Sequence, residues 1–346
     1  MKKIIIKECS EDSRIIFEYL KSKKKLTPIN SPTWIEILFQ TYRVNKVYFV
    51  AYDNGSACGI LSGYVIKSLK FKNILHTLKD GLVADSDLIY SKLLNYADSF
   101  CQKNTIHSFL ISTGEYQLKR ECYKVIVKKF LKIEVPKTED ECWNSFSKNR
   151  RKNLKKILRQ GFYVDNDKGN LKSFYKIYAN SMIEKNVPIH SFNFFKKLFS
   201  DFSDFSELIT LKKNDIVIGG IVLIKSKDYV YCSYQSSDKF FSKYELNNLL
   251  IWESIKRCIS LKITCLHMGE ASIGGGVYNF KIRVGAEPYN SYYYTNKVNF
   301  LANYKGDEKN GGKESPDNIK SFFVKNLPMF LLRPLFIFLK KRSKML

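Results

Sequence analysis

Two stretches of this chain carry the same order of patterns, and that repetition limits its fold more than any other feature. The first begins with "KVYFVAYDNGSACGILSGYVI", two β-rich runs either side of Asn54-Gly55, a type I′ turn signal. "FKNILHTLKDGLV" supplies a third run. A helical stretch follows, "SDLIYSKLLNYADSFCQKN", with Ile89, Leu93, Leu94, Tyr96, Ala97 and Phe100 at helical spacing and Ser86 or Asp87 as the cap. "IHSFLI" is then a strand. The second stretch opens with three strands in "SELITLKKNDIVIGGIVLIKSKDYVYCSYQ", turning near Asn214-Asp215 and Lys227-Asp228. The helix "YELNNLLIWESIKRCISLK" and the strand "ITCLHM" complete it. Three strands, a helix and a strand thus recur about 160 residues apart, an internal duplication of one α/β unit.

The 346 residues suit two domains of ordinary size, and 45% apolar and 14% aromatic residues supply packed cores, which excludes a disordered chain. The eight cysteines form no CxxC and no zinc spacing with histidine, so the expectation is reduced, buried thiols and no metal. The start, "MKKIIIKECSEDSR", has three consecutive apolar residues, too few for a secretory core, and reads as a first strand. A cytoplasmic setting follows as an expectation. The net charge of +25 favours anionic partners, although the Lys-, Asn- and Ile-rich composition accounts equally well for the excess.

Between the repeats lies "CWNSFSKNRRKNLKKILRQGF". On one helix, Trp143, Phe146, Leu154 and Ile157 share a stripe, and Lys148, Lys152, Lys155, Lys156 and Arg159 take the far side. Arg150 then falls inside the stripe and Arg151 at its flank. A charge there needs a partner or a ligand, unless the helix begins later and Arg150 is exposed. "LKSFYKIYANSMIEK" and "SFNFFKKLFSDF" read as two further helices. Residues 304–318 read as a polar, Gly-rich linker. Residues 319–346 carry seven Lys/Arg and no acid around an apolar run broken by Arg333 and two prolines. That run is short for a bilayer span and fits a membrane interface or a helix docked on the protein itself.

The segments "KYELNNLLIWESIK", "CLHMGEASIGGGVYNFKIRVGAEP" and "YNSYYYT" resemble the closing part of the FemAB-like acyltransferases of the Gcn5-related N-acetyltransferase (GNAT) superfamily. "NRRKNLKKILRQG" resembles their basic helix, "FYKIYANSMIEKNVPIHSFNFFKKLF" the helices after it, and "SPTWIEILF" and "GLVADSDLIYSKLLNYADSF" their first half. The resemblance covers roughly residues 1–300 and implies an α/β (α+β) fold of two tandem GNAT-like domains, each a mixed, mostly antiparallel sheet flanked by helices. The corresponding division is 1–136 and 137–303.

The resemblance implies transfer of an acyl or aminoacyl group from a carrier to an amine. The expected acceptor is a cell-envelope precursor: an amine on a surface-polysaccharide sugar or a peptidoglycan peptide, reached as an anionic sugar-nucleotide or lipid-linked molecule. The donor is a co-substrate, acyl-CoA, an acyl carrier protein or aminoacyl-tRNA, and no cofactor is tightly bound. Carried over residue by residue, Lys281 is the transfer residue, holding the donor or stabilising developing negative charge, with Arg283 assisting. Arg151 and Asn153 match the basic helix's Arg-x-Asn. Asn247, Asn248 and Trp252 fall where a cofactor helix opens, and they complete the expected donor- or substrate-binding set. No glycine occurs in "DKFFSKYELNN", which counts against an ordinary acetyl-CoA loop. His267 and Glu270 depart from the relatives, which carry Asp two residues before Gly269 and a base after it. Glu270 is also a candidate general base. The alternative is a degenerate GNAT-like module that binds RNA or anionic membrane without catalysis. Membrane contact through residues 319–346 would place the protein at the inner face of the cell membrane.

Overall fold

The computed structural model describes residues 4–9, 13–66, 73–119, 123–185 and 189–297. The linker and basic tail expected at 304–346 lie outside these. The described residues form two compact units, those within 1–128 together with 290–297, and those within 129–289. The boundaries expected at 136/137 and 303 stand beside contact boundaries at 128/129 and 289/290, the latter within the last strand.

The first unit contains β1 (Ile5–Glu8), α1 (Arg14–Ser22), α2 (Pro32–Tyr42), β2 (Asn45–Asp53), β3 (Ser56–Ile66), β4 (Ile74–His76), β5 (Leu82–Ala84), α3 (Asp87–Lys103) and β6 (Ser108–Gly114). β2 and β3 form the expected hairpin, with Asn54 at φ 49° and Gly55 at φ 83°. The sheet order is β1-β2-β3-β4-β6, with β5 also on β3, and only β4 and β6 run parallel. The final strand, Glu287–Thr295, pairs with β6 through Tyr292, Tyr293 and Tyr294. The third strand expected in "FKNILHTLKDGLV" is two short ones, because the chain bends at Thr77–Gly81, where Asp80 has φ 58°. Phe49, Leu75, Leu93, Phe109 and Tyr294 are among the fully buried members of the unit's core.

The chain leaves along β7 (Lys124–Glu134) into the second unit: α4 (Glu139–Ser145), α5 (Lys148–Leu158), β8 (Tyr163–Asp165), α6 (Leu171–Glu184), α7 (Phe192–Asp201), β9 (Ser206–Lys213), β10 (Ile216–Lys225), β11 (Tyr229–Ser237), α8 (Leu246–Ser260), β12 (Cys265–Glu270) and α9 (Gly276–Arg283), before β13 (Glu287–Thr295). The order is β7-β12-β11-β10-β9-β8, antiparallel except for β11 on β12. Ile221, Leu223, Leu266 and Met268 share a core with Leu249, Leu250 and Ile255 of α8. Gly220 turns the other way, against α6, where a Cβ would come 2.8 Å from the Phe174 ring and 2.9 Å from Ile209 O. That close approach dictates glycine.

The single helix expected over residues 142–162 is two. Phe146 is extended (ψ 143°), and the Ser147 hydroxyl accepts from Arg150 N at 3.3 Å to start α5. Side-chain capping outcompetes helix continuation at Ser147. No disulfide joins the described cysteines, and no described helix is long and apolar enough to cross a membrane.

Candidate functional site

β11 and β12 run side by side for three residue pairs only: Tyr229 with Cys265, Val230 with Leu266, and Tyr231 with His267. Beyond these the ladder stops. On β11, Ser233 is bulged out against β10, since Cys232 faces Leu223 and Tyr234 faces Val222. On β12, Met268 is bulged against β7, between His267 and Gly269. Bulges bend strands and sharpen their twist, so two on neighbouring strands open a fork. The ladder between β11 and β12 thus ends at Tyr231 and His267. In the first unit β4 and β6 also part after three pairs, but the chain itself enters there. Thr77 Oγ1 accepts from Ser112 N at 2.8 Å, and Gly81 O accepts from Ser62 N at 2.7 Å.

Lys281 fills the base of the second unit's fork. It lies on α9, and its side chain is 8% exposed. Nζ donates to Glu270 O at 2.9 Å and Gly269 O at 3.3 Å, both on β12, and lies within electrostatic reach of the Cys232 thiol on β11. Burial lowers its pKa to about 8, only partly offset by Cys232 and Glu270. Burial pushes the Cys232 thiol up to about 12.

Two devices fix α9. At its end, Gly285 at φ 88° lets Ala286 N bond Lys281 O at 3.0 Å and Gly285 N bond Ile282 O at 2.9 Å, a Schellman stop with Pro288 just beyond. Across from it, Arg150 Nη1 donates to Val284 O at 2.8 Å, with the guanidinium 3.5 Å above the Phe146 ring. Arg150 Nε and Nη2 are buried without partners, and burial lowers the group's pKa to about 10. Arg150 thus has the partner that its place in the apolar stripe demanded, a carbonyl of Lys281's own helix cap.

The other expected residues fall elsewhere. Arg151 Nη1 bonds Phe146 O at 2.7 Å and Asn144 O at 3.0 Å, closing the end of α4. Asn153 and Asn248 both donate to the Glu245 carboxylate, at 2.8 and 3.2 Å. Asn247 Oδ1 accepts from Gln235 Nε2 at 3.2 Å, tying the later part of β11 to the start of α8. Trp252 is buried in the core beside Trp143 and Phe146. Glu270 and Arg283 are exposed, and Glu270 enters the Lys281 site through its backbone. His267 is buried, bonded through Nδ1 to Tyr289 OH at 2.9 Å and stacked on Tyr231. The fork thus unites Lys281, Gly269, Glu270 and Cys232, while the asparagines gather at the head of α8. Cys232 and Glu245 escaped the sequence reading, since nothing local marks a thiol beside a distant lysine or a glutamate at φ 52°. Among the described residues, no cluster of acids, histidines and cysteines is placed to hold a metal.

Residues 144–289, all within the second unit, match the family model of the acetyltransferase (GNAT) domain. In fold the chain is similar to FemX (14% identity, TM-score 0.63, covering 88% of this chain and 100% of that one). It is similar too to the C-terminal domain of a lysylphosphatidylglycerol synthetase from Agrobacterium fabrum (9%, 0.58, 86% and 96%). A tandem GNAT protein from the clavulanic acid biosynthesis pathway also shares the fold (9%, 0.54, 85% and 98%). No curated protein matches the sequence. Residues 144–289 thus carry an acetyltransferase (GNAT) domain, an acyltransferase domain by its family, and the whole chain shares its fold with a tandem GNAT protein.

Proposed function

We propose that the fork of the second unit transfers an acyl or aminoacyl group from a carrier to an amine of a cell-envelope precursor, on a polysaccharide sugar or a peptidoglycan peptide. The observation that carries this is the buried amine of Lys281 held by two carbonyls of β12. An ammonium has three N–H directions, and two go to Gly269 and Glu270. The third serves the donor's leaving group. The acceptor nitrogen attacks the donor carbonyl, and a C–N bond forms. Backbone N–H groups of β11 beyond Tyr231 hold the oxyanion. The C–S or C–O bond to the carrier then breaks, and the leaving atom takes the Lys281 proton. The proton lost by the acceptor nitrogen passes to solvent, and Lys281 regains one from there.

The net charge of +25 suits an anionic acceptor, a sugar nucleotide or a lipid-linked precursor. A shared fold with a protein named for lysyl transfer to phosphatidylglycerol supports an aminoacyl group among the cargoes. Residues 319–346 would hold the enzyme at the inner face of the membrane. Mass spectrometry of envelope precursors from cells with the gene, without it, and with Lys281→Ala tests this. The expected result is a mass difference of one amino-acid or acyl group, absent from both altered strains. An unchanged precursor pool overturns the envelope role. Transfer undiminished in Lys281→Ala overturns the role of the lysine.

A further inference from the structure

We propose that Glu245 is a donor-selectivity residue, whose carboxylate turns away carriers that hold a diphosphate beside their acyl arm. The inference rests on the donor entering the fork between β11 and β12. A donor reaching in from the carboxyl ends of these parallel strands passes the head of α8, which follows β11 after the turn at Lys239–Tyr244. The free N–H groups of such a helix ordinarily favour a phosphate. In this chain a negative charge is already present.

Glu245 immediately precedes α8 in the left-handed region (φ 52°, ψ 41°), where glycine would sit without strain. Its carboxylate does not cap its own helix. It accepts instead from Asn153 Nδ2 of α5 at 2.8 Å and Asn248 Nδ2 of α8 at 3.2 Å. Two neutral amides from separate helices fix the group without cancelling its charge. No described cation forms an ion pair with it. The approach from β11 holds Asp238, Lys239, paired with Glu184 at 2.6 Å, and Lys243 over the Tyr244 ring, and no glycine whose bare backbone could wrap a phosphate. Asn153 and Asn248 therefore contribute to donor choice by holding the repelling group rather than by touching the donor. Carriers whose phosphates lie away from the acyl linkage escape the penalty.

Calorimetric titration of the full chain tests this, with coenzyme A and pantetheine as probes. They share the thiol arm and differ in the diphosphate. Glu245→Gln keeps acceptors for both amides, and Glu245→Gly relieves the backbone as well. Pantetheine should bind all three proteins alike. Coenzyme A should bind both variants about tenfold more tightly than the wild type at low salt, with the gap closing as salt rises. Equal affinity of coenzyme A for all three proteins, with pantetheine bound normally, overturns the role of Glu245 and leaves the fork as the acyl site. No pantetheine binding by any of them overturns a thioester donor, and with it the role of Glu245, while an aminoacyl ester remains a donor for the fork.

Discussion

Lys281 is an amine kept in an expensive place. A buried cation with two neutral carbonyls and no bonded carboxylate gives up its proton early, and burial brings its pKa to about 8. If the ammonium protonates the leaving group, kcat should fall as pH rises through about 8. Lys281→Arg should remove that limb and slow transfer by about a hundredfold or more, because guanidinium keeps its proton. A pH–rate profile lacking a limb near 8 in the wild type would count against the assignment. The same titration bears on stability. An unfolded lysine holds its proton to about 10.4, so between pH 8 and 10.4 the unfolded chain binds more protons and stability rises with pH. Below pH 8 both states are protonated, and the penalty of the buried charge is fully present. Denaturation of wild type and Lys281→Met should thus show a constant difference below pH 8. Above it the wild type should gain on the order of 3 kcal/mol by pH 10.4. A difference that stays flat across that window would show that the amine is not buried as a cation.

The elements that present this residue are short, and their ends decide their geometry. α9 has eight residues and relies on the Gly285 stop and the Arg150 clamp at Val284. Gly285 sits at φ 88°, and a Cβ there would meet nothing closer than Arg150 Nη1 at 3.8 Å. Gly285→Ala therefore acts through backbone strain alone. It should cost about 1 kcal/mol in urea denaturation and lower kcat more than it changes donor affinity. An unchanged midpoint with full activity would remove the cap from the account. The hairpin at Asn54-Gly55, the apolar face of α8 and the helices α6 and α7 were legible, because turn chemistry and hydrophobic period are local signals. The break between α4 and α5 was not, because Trp143, Phe146, Leu154 and Ile157 fit one stripe as well as two. Nor could period show that "NFKIR" is a helix carrying a buried lysine, since only contact with β12, remote in the fold, buries it. Resemblance marks Lys281, the apolar stripe marks Arg150, and no local signal marks Glu245.

The duplication seen in the sequence becomes, at the scale of the molecule, two units of unequal continuity. Residues 129–289 form the second unit in one piece, with a core of their own from Leu131 to Ala286. The first unit is discontinuous and needs the last strand. Tyr294 is fully buried among Phe49, Leu93 and Phe109, and its hydroxyl accepts from Leu118 N at 2.9 Å. Tyr292, Tyr293 and Tyr294 also complete the pairing of β6. Pattern alone could show two similar runs, but no local signal reveals that "YNSYYYT" pairs with a strand about 180 residues earlier, because strand pairing is settled by burial. A fragment of residues 129–289 should then unfold cooperatively and retain pantetheine binding if the fork lies within it. A fragment of residues 1–128, with the β6 edge bare and the Tyr294 position empty, should show no sharp transition. Adding a peptide of residues 287–297 in trans should restore one. Cooperative unfolding of residues 1–128 alone would mean that the returning strand is an addition to the first unit rather than part of its core.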